Sequence, residues 1–201
     1  DLAEHIYMGL VLHYLFIDSQ EQLWIGLNSG LYCCLLGETP QLIDSDCHVT
    51  YITELPQSMA IGTTCDLRIY SKDRNLLQKL CPDTYVQSLL PLPNKEILLI
   101  GTFNCGVKSI SLSSWQEQPV KNGSLPHTPI RSMIEMTPST VLLGFDGDGV
   151  YTYNLSSGEA EPLFTRTNRM LTAMGVYSLC RDCEDNIWIG TYTGGEFLMM
   201  P

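Results

Sequence analysis

The sequence contains no apolar stretch long enough to cross a membrane. The longest apolar run, residues 8–16, is about half as long as the ~20 residues that a membrane-spanning helix requires, and it includes His13. No basic segment precedes an apolar one at the start of the sequence, so we expect any signal peptide to have been removed or to lie outside this sequence. The run at residues 8–16 is therefore predicted to be a buried strand.

Basic residues are scarce, and this bounds the possible partners. The sequence has 11 lysine and arginine residues against 22 aspartate and glutamate residues, a formal net charge of −11. A surface of this sign repels phosphate backbones and anionic lipids, so neither a nucleic acid nor a membrane surface is an expected partner. Any membrane attachment would come through a longer parent protein.

Motifs for catalysis and metal binding are also missing. The four histidines lie far apart in the sequence, and there is neither a His-x-x-x-His pattern nor a Gly-x-Ser-x-Gly pattern. No pair of carboxylates stands in an apolar context that would raise its pKa. We therefore expect no enzyme activity, no catalytic residue, no metal site and no cofactor in this chain.

The sequence does contain a motif repeated five times: an apolar strand that ends in glycine, then a polar turn and a second strand. The copies are Leu23-Trp24-Ile25-Gly26, Met59-Ala60-Ile61-Gly62, Leu98-Leu99-Ile100-Gly101, Val141-Leu142-Leu143-Gly144 and Ile187-Trp188-Ile189-Gly190. A strand-only repeat of roughly 40 residues is typical of an all-β fold, the β-propeller, in which each unit forms one four-stranded blade. Gly26, Gly101 and Gly190 are predicted to let neighbouring blades approach closely.

The repeat predicts a single domain over residues 1–201. Its units are 9–47, 48–82, 83–127, 128–172, and 173–201 together with 1–8. The last unit has no outer strand, whereas His5-Ile6-Tyr7 precedes the first inner strand. If these residues pair with the last blade, they close a ring of about five four-stranded blades and leave no open sheet edge. The alternative is that the five units are a segment of a larger ring.

Two copies carry a longer and more specific pattern. They are Asp18-Ser19-Gln20-Glu21-Gln22-Leu23-Trp24-Ile25-Gly26 and Asp182-Cys183-Glu184-Asp185-Asn186-Ile187-Trp188-Ile189-Gly190-Thr191-Tyr192-Thr193-Gly194-Gly195. This pattern resembles the two-component regulator propeller repeat, in which an acid-rich turn precedes Asn-Leu-Trp-Ile-Gly-Thr and then Gly-Gly or Gly-Leu. The three central units keep the glycine and lack the tryptophan. A WD40 propeller fits less well, because no unit has Gly-His or Trp-Asp at the expected points.

The resemblance implies a function. Such propellers form the periplasmic sensor region of hybrid histidine kinases of gut Bacteroidetes, which detect oligosaccharides from complex glycans. It implies that this region is a non-catalytic ligand sensor, that the parent protein dimerises, and that its kinase lies elsewhere in an inner-membrane protein. Members usually carry seven-bladed rings, often two in tandem, which is more than the five units here. The alternative function is a scaffold that binds other proteins.

The ligand site is predicted at the rim where the turns between second and third strands and the connections between blades emerge. The candidates for binding are Asn28, Thr64, Phe103, Asn104, Arg131, Asp146, Tyr192 and Thr193. Aromatic faces with amide and hydroxyl groups suit a neutral or weakly charged sugar, by stacking and hydrogen bonding. The alternative is purely structural, because exposed turns favour the same polar residues.

Three other features are predicted to be structural. Trp24 and Trp188 lie inside strands, which favours packing between blades over sugar stacking. The segment 146–149 lacks the ligands of a calcium hand and is predicted to be a hairpin turn. The eight cysteines are predicted to be small buried apolar residues, since the Cys180 and Cys183 pair has zinc-site spacing but no second pair.

Overall fold

The computed structural model describes residues 10–123, 125–164, 175–193 and 195–199, with 196–199 described as backbone. These residues form five antiparallel sheets. Sheet 1 consists of β1 (Leu12–Ile17), β2 (Gln22–Leu27), β3 (Gly30–Leu35) and β4 (Gln41–Asp44). Sheet 2 consists of β5 (Val49–Glu54), β6 (Ser58–Thr63), β7 (Leu67–Ser71) and β8 (Leu76–Leu80).

The other three sheets follow the same order. Sheet 3 consists of β9 (Val86–Leu92), β10 (Ile97–Thr102), β11 (Val107–Ser111) and β12 (Glu117–Gln118), with a 3-10 turn at Pro93–Lys95. Sheet 4 consists of β13 (Ile130–Thr137), β14 (Thr140–Phe145), β15 (Gly149–Asn154) and β16 (Ala160–Phe164). Sheet 5 consists of β17 (Val176–Arg181), β18 (Ile187–Thr191) and β19 (Glu196–Met199).

Each sheet is a meander, and the inner strands β1, β5, β9, β13 and β17 contact one another in that order. The prediction of an all-β, propeller-like fold is confirmed. Closure and the number of blades in the ring stay predictions, because the strand expected to close it lies in residues 1–9, outside the described part. No helix within the described part is long and apolar enough to span a membrane.

The hydrophobic core lies between the sheets. Four clusters of buried side chains each join one sheet to the next, from sheets 1 and 2 through to sheets 4 and 5. The second strands of sheets 2, 3 and 4 therefore bury both faces, which explains why their sequences are almost continuously apolar. The outward face of β1 differs, since Leu12 and Leu15 are exposed there.

In sheets 1 to 4, the motif glycine of the second strand lies against a side chain from the inner strand of the next sheet. A Cβ atom added at Gly26 would lie 2.4 Å from Cγ1 of Val49, so any side chain there would push the sheets apart. The same contact recurs between Gly62 and Val86, Gly101 and Ile130, and Gly144 and Val176. For Gly190 the close approach stays a prediction, because an added Cβ would meet Ser178 of its own sheet and no further sheet covers sheet 5 among the described residues.

The acid-rich turn and the tryptophan of the specific motif form one structural unit. The Asp18 carboxylate accepts hydrogen bonds from the backbone of Gln20 and Gln22 and, through Oδ2, from the indole N–H of Trp24 at 2.9 Å. Asp182 binds Trp188 in the same way at 2.8 Å. Trp24 is fully buried between sheets 1 and 2, which confirms its packing role, whereas Trp188 is 41% exposed.

A buried arginine joins sheets 1 and 2. The Arg68 side chain is 2% exposed. Its Nη1 donates to Asp44 Oδ2 at 2.7 Å and its Nε donates to Asp66 Oδ1 at 3.0 Å. The Tyr70 hydroxyl donates to the same Asp44 oxygen. Burial opposes the charge on Asp44, but the hydrogen bonds from Tyr70, the Asp46 backbone and Arg68 outweigh it and hold the pKa of this carboxyl below its usual value.

The prediction for the cysteines was half right. All eight are free thiols, and the buried ones are Cys33, Cys34, Cys47 and Cys81. Burial raises the pKa of Cys33 and Cys47 to about 11, so these thiols stay protonated at neutral pH. The exposed ones are Cys65, Cys105, Cys180 and Cys183. The first two lie in turns, Cys180 lies on β17 of sheet 5, which no further sheet covers among the described residues, and Cys183 lies in the turn between β17 and β18.

Candidate functional site

Every inner strand carries one extra residue at the same place. Its partner strand skips that residue, so each inner strand has a β-bulge near its start. The extra residues are His13, Thr50, Gln87, Arg131 and Tyr177. A bulge leaves its residue out of the ladder and turns its side chain in a new direction, and bulges are common next to binding sites. Five equivalent bulges therefore present five different side chains from five sheets.

These five residues line one cavity of about 410 Å³. The rest of its lining comes from the same inner strands and the residue before β9: Tyr14, Tyr51, Tyr85, Ser132, Ser178 and Leu179. Hydroxyl, amide, imidazole and guanidinium groups predominate, with several aromatic rings. A cavity of this composition suits a ligand that both stacks and forms hydrogen bonds.

Arg131 connects three sheets at this cavity. Its Nε and Nη2 donate to Asp146 Oδ2 of sheet 4 at 3.1 and 2.8 Å. Its Nη1 donates to Gln87 Oε1 of sheet 3 at 2.8 Å, and its Cζ lies 5.1 Å from the ring centroid of Tyr177 in sheet 5. The guanidinium is thus held by an ion pair, an amide and a cation–π contact, which fix its orientation.

Two stacked aromatic pairs lie on either side of this arginine. Tyr85 and Phe103, in the sheet 3 part of the rim, have ring centroids 5.0 Å apart and planes 12° apart. Tyr177 and Tyr192, in the sheet 5 part, have centroids 5.4 Å apart and planes 27° apart. Phe103 is 42% exposed and Tyr192 is 75% exposed, so each pair presents a ring to solvent.

Two histidines that are distant in sequence meet at the other side of the cavity. The Nε2 atoms of His13 and His48 are 2.9 Å apart. Burial and the neighbouring His48 lower the pKa of His13, so the neutral form is favoured there. The described residues contain no group of three or more potential metal ligands, so this pair stands without further protein ligands in that part of the chain.

The structure places five of the eight predicted site residues at equivalent positions. Each follows a second strand, and its backbone N–H donates to the carbonyl of the residue before the inner strand of the same sheet. These five are Asn28, Thr64, Phe103, Asp146 and Tyr192. Asn104 and Thr193 follow in the same turns and are exposed. Arg131 is the one predicted residue that lines the cavity.

The sequence analysis missed the other four bulge residues, which are His13, Thr50, Gln87 and Tyr177. Position relative to the repeat was the usable signal, since each of the five bulge residues precedes the motif glycine of its sheet by 12 to 14 residues. The segment 146–149 forms the predicted hairpin turn, in which Gly149 is already the first residue of β15. Its two carboxylates bind Arg131 and the Thr128 hydroxyl.

Comparison with known proteins gives structural likeness and no sequence match. Neither a protein-family model nor a curated protein matches this sequence. The extracellular domain of the hybrid two-component system BT4673 from B. thetaiotaomicron is similar over 93% of this chain, with 20% identity and a TM-score of 0.79. That of BT3049 from the same organism is similar over 94% of the chain, with 16% identity and a TM-score of 0.74.

A computationally designed protein, Ika8, is also similar over 94% of the chain, with 12% identity and a TM-score of 0.69. The chain spans 27% of the BT4673 structure, 28% of the BT3049 structure and 58% of Ika8. The chain therefore shares its fold with about a quarter of each of these two extracellular domains of Bacteroides two-component systems.

Proposed function

We propose that this chain is part of the periplasmic sensor region of a hybrid two-component system, and that it binds a small oligosaccharide without catalysing a reaction. The observation that carries the proposal is the cavity lined by the five bulge residues. Its lining combines aromatic rings with hydrogen-bonding groups that the fold already holds in place, and the exposed rings of Phe103 and Tyr192 stack on two of the lining tyrosines. The structural likeness to extracellular domains of two-component systems supports the sensing role.

The charges at the cavity favour binding over hydrolysis. Glycosidases use two carboxylates that face the scissile bond across a fixed gap. The described lining of this cavity contains no carboxylate, and Asp146 binds the lining residue Arg131 in an ion pair in which both side chains are about a third exposed. The described lining of the cavity therefore offers no pair of acids for this chemistry.

The remaining expectations concern a longer parent protein. From the resemblance we propose that it is anchored in the inner membrane, that it dimerises, and that it carries the histidine kinase. A polypeptide-binding scaffold is the second candidate. The exposed apolar residues Leu12 and Leu15 would serve it, but they lie on the outward face of β1 and not at the cavity. In sheets 2 to 5 the equivalent inner strand packs against the sheet that precedes it.

Thermal shift with defined sugars tests the proposal. The probes are xylotetraose, mannotetraose, cellotetraose and tetragalacturonate. A ligand at 100 times its Kd stabilises the folded state by about 2.7 kcal/mol, which raises the melting temperature by several degrees. We expect at least one probe to raise the melting temperature of the wild type. The same probe should raise it less in Arg131→Met and by the full amount in the exposed control Lys95→Met. No shift with any probe, or an equal shift for Arg131→Met, would contradict this proposal.

A further inference from the structure

Resting on that proposed function, we infer that the ligand is an uncharged oligosaccharide of at least two sugar rings, held by two aromatic platforms with the Arg131–Asp146 pair between them. Platform A is the stacked pair Tyr85 and Phe103, and platform B is the stacked pair Tyr177 and Tyr192.

Each platform has a supported ring and a more exposed ring. Phe103 and Tyr192 occupy the same repeat position, directly after the second strand, where sheets 1 and 2 carry Asn28 and Thr64. The exposed ring rests on a second ring, which is Tyr85 directly before β9 or Tyr177 near the start of β17. Stacking restricts the side-chain rotamers before the ligand arrives, so less entropy is lost on binding. A large exposed aromatic ring in a polar turn is otherwise unfavourable, which points to a binding role.

The centre of the site is electrically neutral. The Arg131 guanidinium has five N–H groups, of which three donate to Asp146 and Gln87. The described part of the chain shows no hydrogen bond to the other two N–H groups or to Asp146 Oδ1, while Oδ2 accepts from Arg131 and, at 3.5 Å, from Tyr177. A donor and an acceptor side by side match neighbouring hydroxyls of a sugar, since each hydroxyl both donates and accepts.

An anionic sugar fits this site less well. Its carboxylate would compete with Asp146 for the same guanidinium and would bring two negative charges together in a protein of net charge −11. A neutral sugar leaves the Arg131–Asp146 ion pair intact. Charge therefore favours neutral oligosaccharides, such as those derived from xylan, mannan or glucan, over oligomers of uronic acids.

Length follows from the position of the platforms. Platform A belongs to sheet 3 and platform B to sheet 5, so sheet 4 with its Arg131–Asp146 pair lies between them. Face-to-face sheets pack about 10 Å apart and sheet 4 separates the two platforms, so we expect the platforms to be further apart than one sugar ring can span. A ligand that contacts both must therefore have two or more rings, with hydroxyls near Arg131.

Calorimetric titration of the 201-residue chain tests the inference. The titrants are the neutral tetrasaccharides xylotetraose, mannotetraose and cellotetraose, the monosaccharides of each, and tetragalacturonate. We expect one neutral tetrasaccharide to bind and its monosaccharide to bind at least tenfold more weakly. Phe103→Ala and Tyr192→Ala should each weaken binding by about threefold to tenfold, and the double variant by about the product of the two. Phe103→Tyr, which keeps the ring, should restore binding.

Leu77→Ala is the matched control, because Leu77 is also a large exposed apolar residue but lies on β8, away from the cavity. Circular dichroism shows that each variant is folded. Binding of a neutral tetrasaccharide that is unchanged in both alanine variants would overturn the two-platform inference and leave the proposed function standing. Binding of tetragalacturonate alone would overturn the neutral-ligand inference in the same way. No binding of any titrant would overturn both.

Discussion

Replacing Arg68 by methionine tests the ion-pair network between sheets 1 and 2. The substitution keeps an apolar stem but leaves the carboxylates of Asp44 and Asp66 without their cation. Removing one partner of a buried ion pair costs about 3–5 kcal/mol, because the other charge stays buried without compensation. The carboxylates keep 15% and 13% side-chain exposure, so we expect a loss near 3 kcal/mol, against a total stability of about 5–15 kcal/mol for a typical domain.

Urea unfolding at pH 7 and at pH 3 measures this loss. The pKa of Asp44 is lowered in the folded state, so its contribution to stability is complete above the unfolded pKa of ~3.9 and is lost as the pH falls through the folded pKa. The difference between wild type and Arg68→Met should therefore shrink at pH 3. Lys79→Met, which removes an exposed pair with Asp46, should cost under about 1 kcal/mol. A loss for Arg68→Met below 1 kcal/mol at pH 7, or an equal loss at both pH values, would refute the reasoning.

Three further changes test other parts of the structure by thermal or urea unfolding. Gly62→Ala places a Cβ atom 2.5 Å from Cγ1 of Val86 and should cost about 1–3 kcal/mol by overpacking. Trp24→Phe leaves a buried Asp18 oxygen without its indole donor and should cost about 1–3 kcal/mol, measured by the urea midpoint. His13 has a lowered pKa, so stability should fall as the pH drops below ~6.5, and this fall in melting temperature should be smaller in His13→Gln.

Each of these changes has a control in the same chain. Gly123→Ala adds a Cβ atom with no neighbour within 4 Å and should change stability by less than about 0.5 kcal/mol. Trp188→Phe removes the same hydrogen bond from a more exposed ring and should cost less than Trp24→Phe. His127→Gln alters an exposed histidine elsewhere and should keep the full acid dependence. If a control variant showed the same change as its test variant, that result would contradict the structural reason given for the test variant.

The rim was predictable because it follows from local sequence. Turn residues after a glycine-ended strand must emerge at one end of the sheet, so Asn28, Thr64, Phe103, Asp146 and Tyr192 could be placed together without coordinates. The orientation of the inner-strand residues was not predictable in this way. An alternating pattern gives the two faces of a regular strand, but a bulge shifts the register by one residue and sends its side chain elsewhere.

The sequence by itself determined the strands, their order within each sheet, the glycines of the turns and the Asp–Trp unit, because these depend on residues close together in the chain. Tertiary structure alone decided which sheets meet, that His13 lies against His48, and that Arg131 bridges Gln87, Asp146 and Tyr177. Those contacts join residues 15 to 46 positions apart. Their distances depend on how neighbouring sheets stack and on where each bulge lies, and neither is encoded in the periodicity of a single strand.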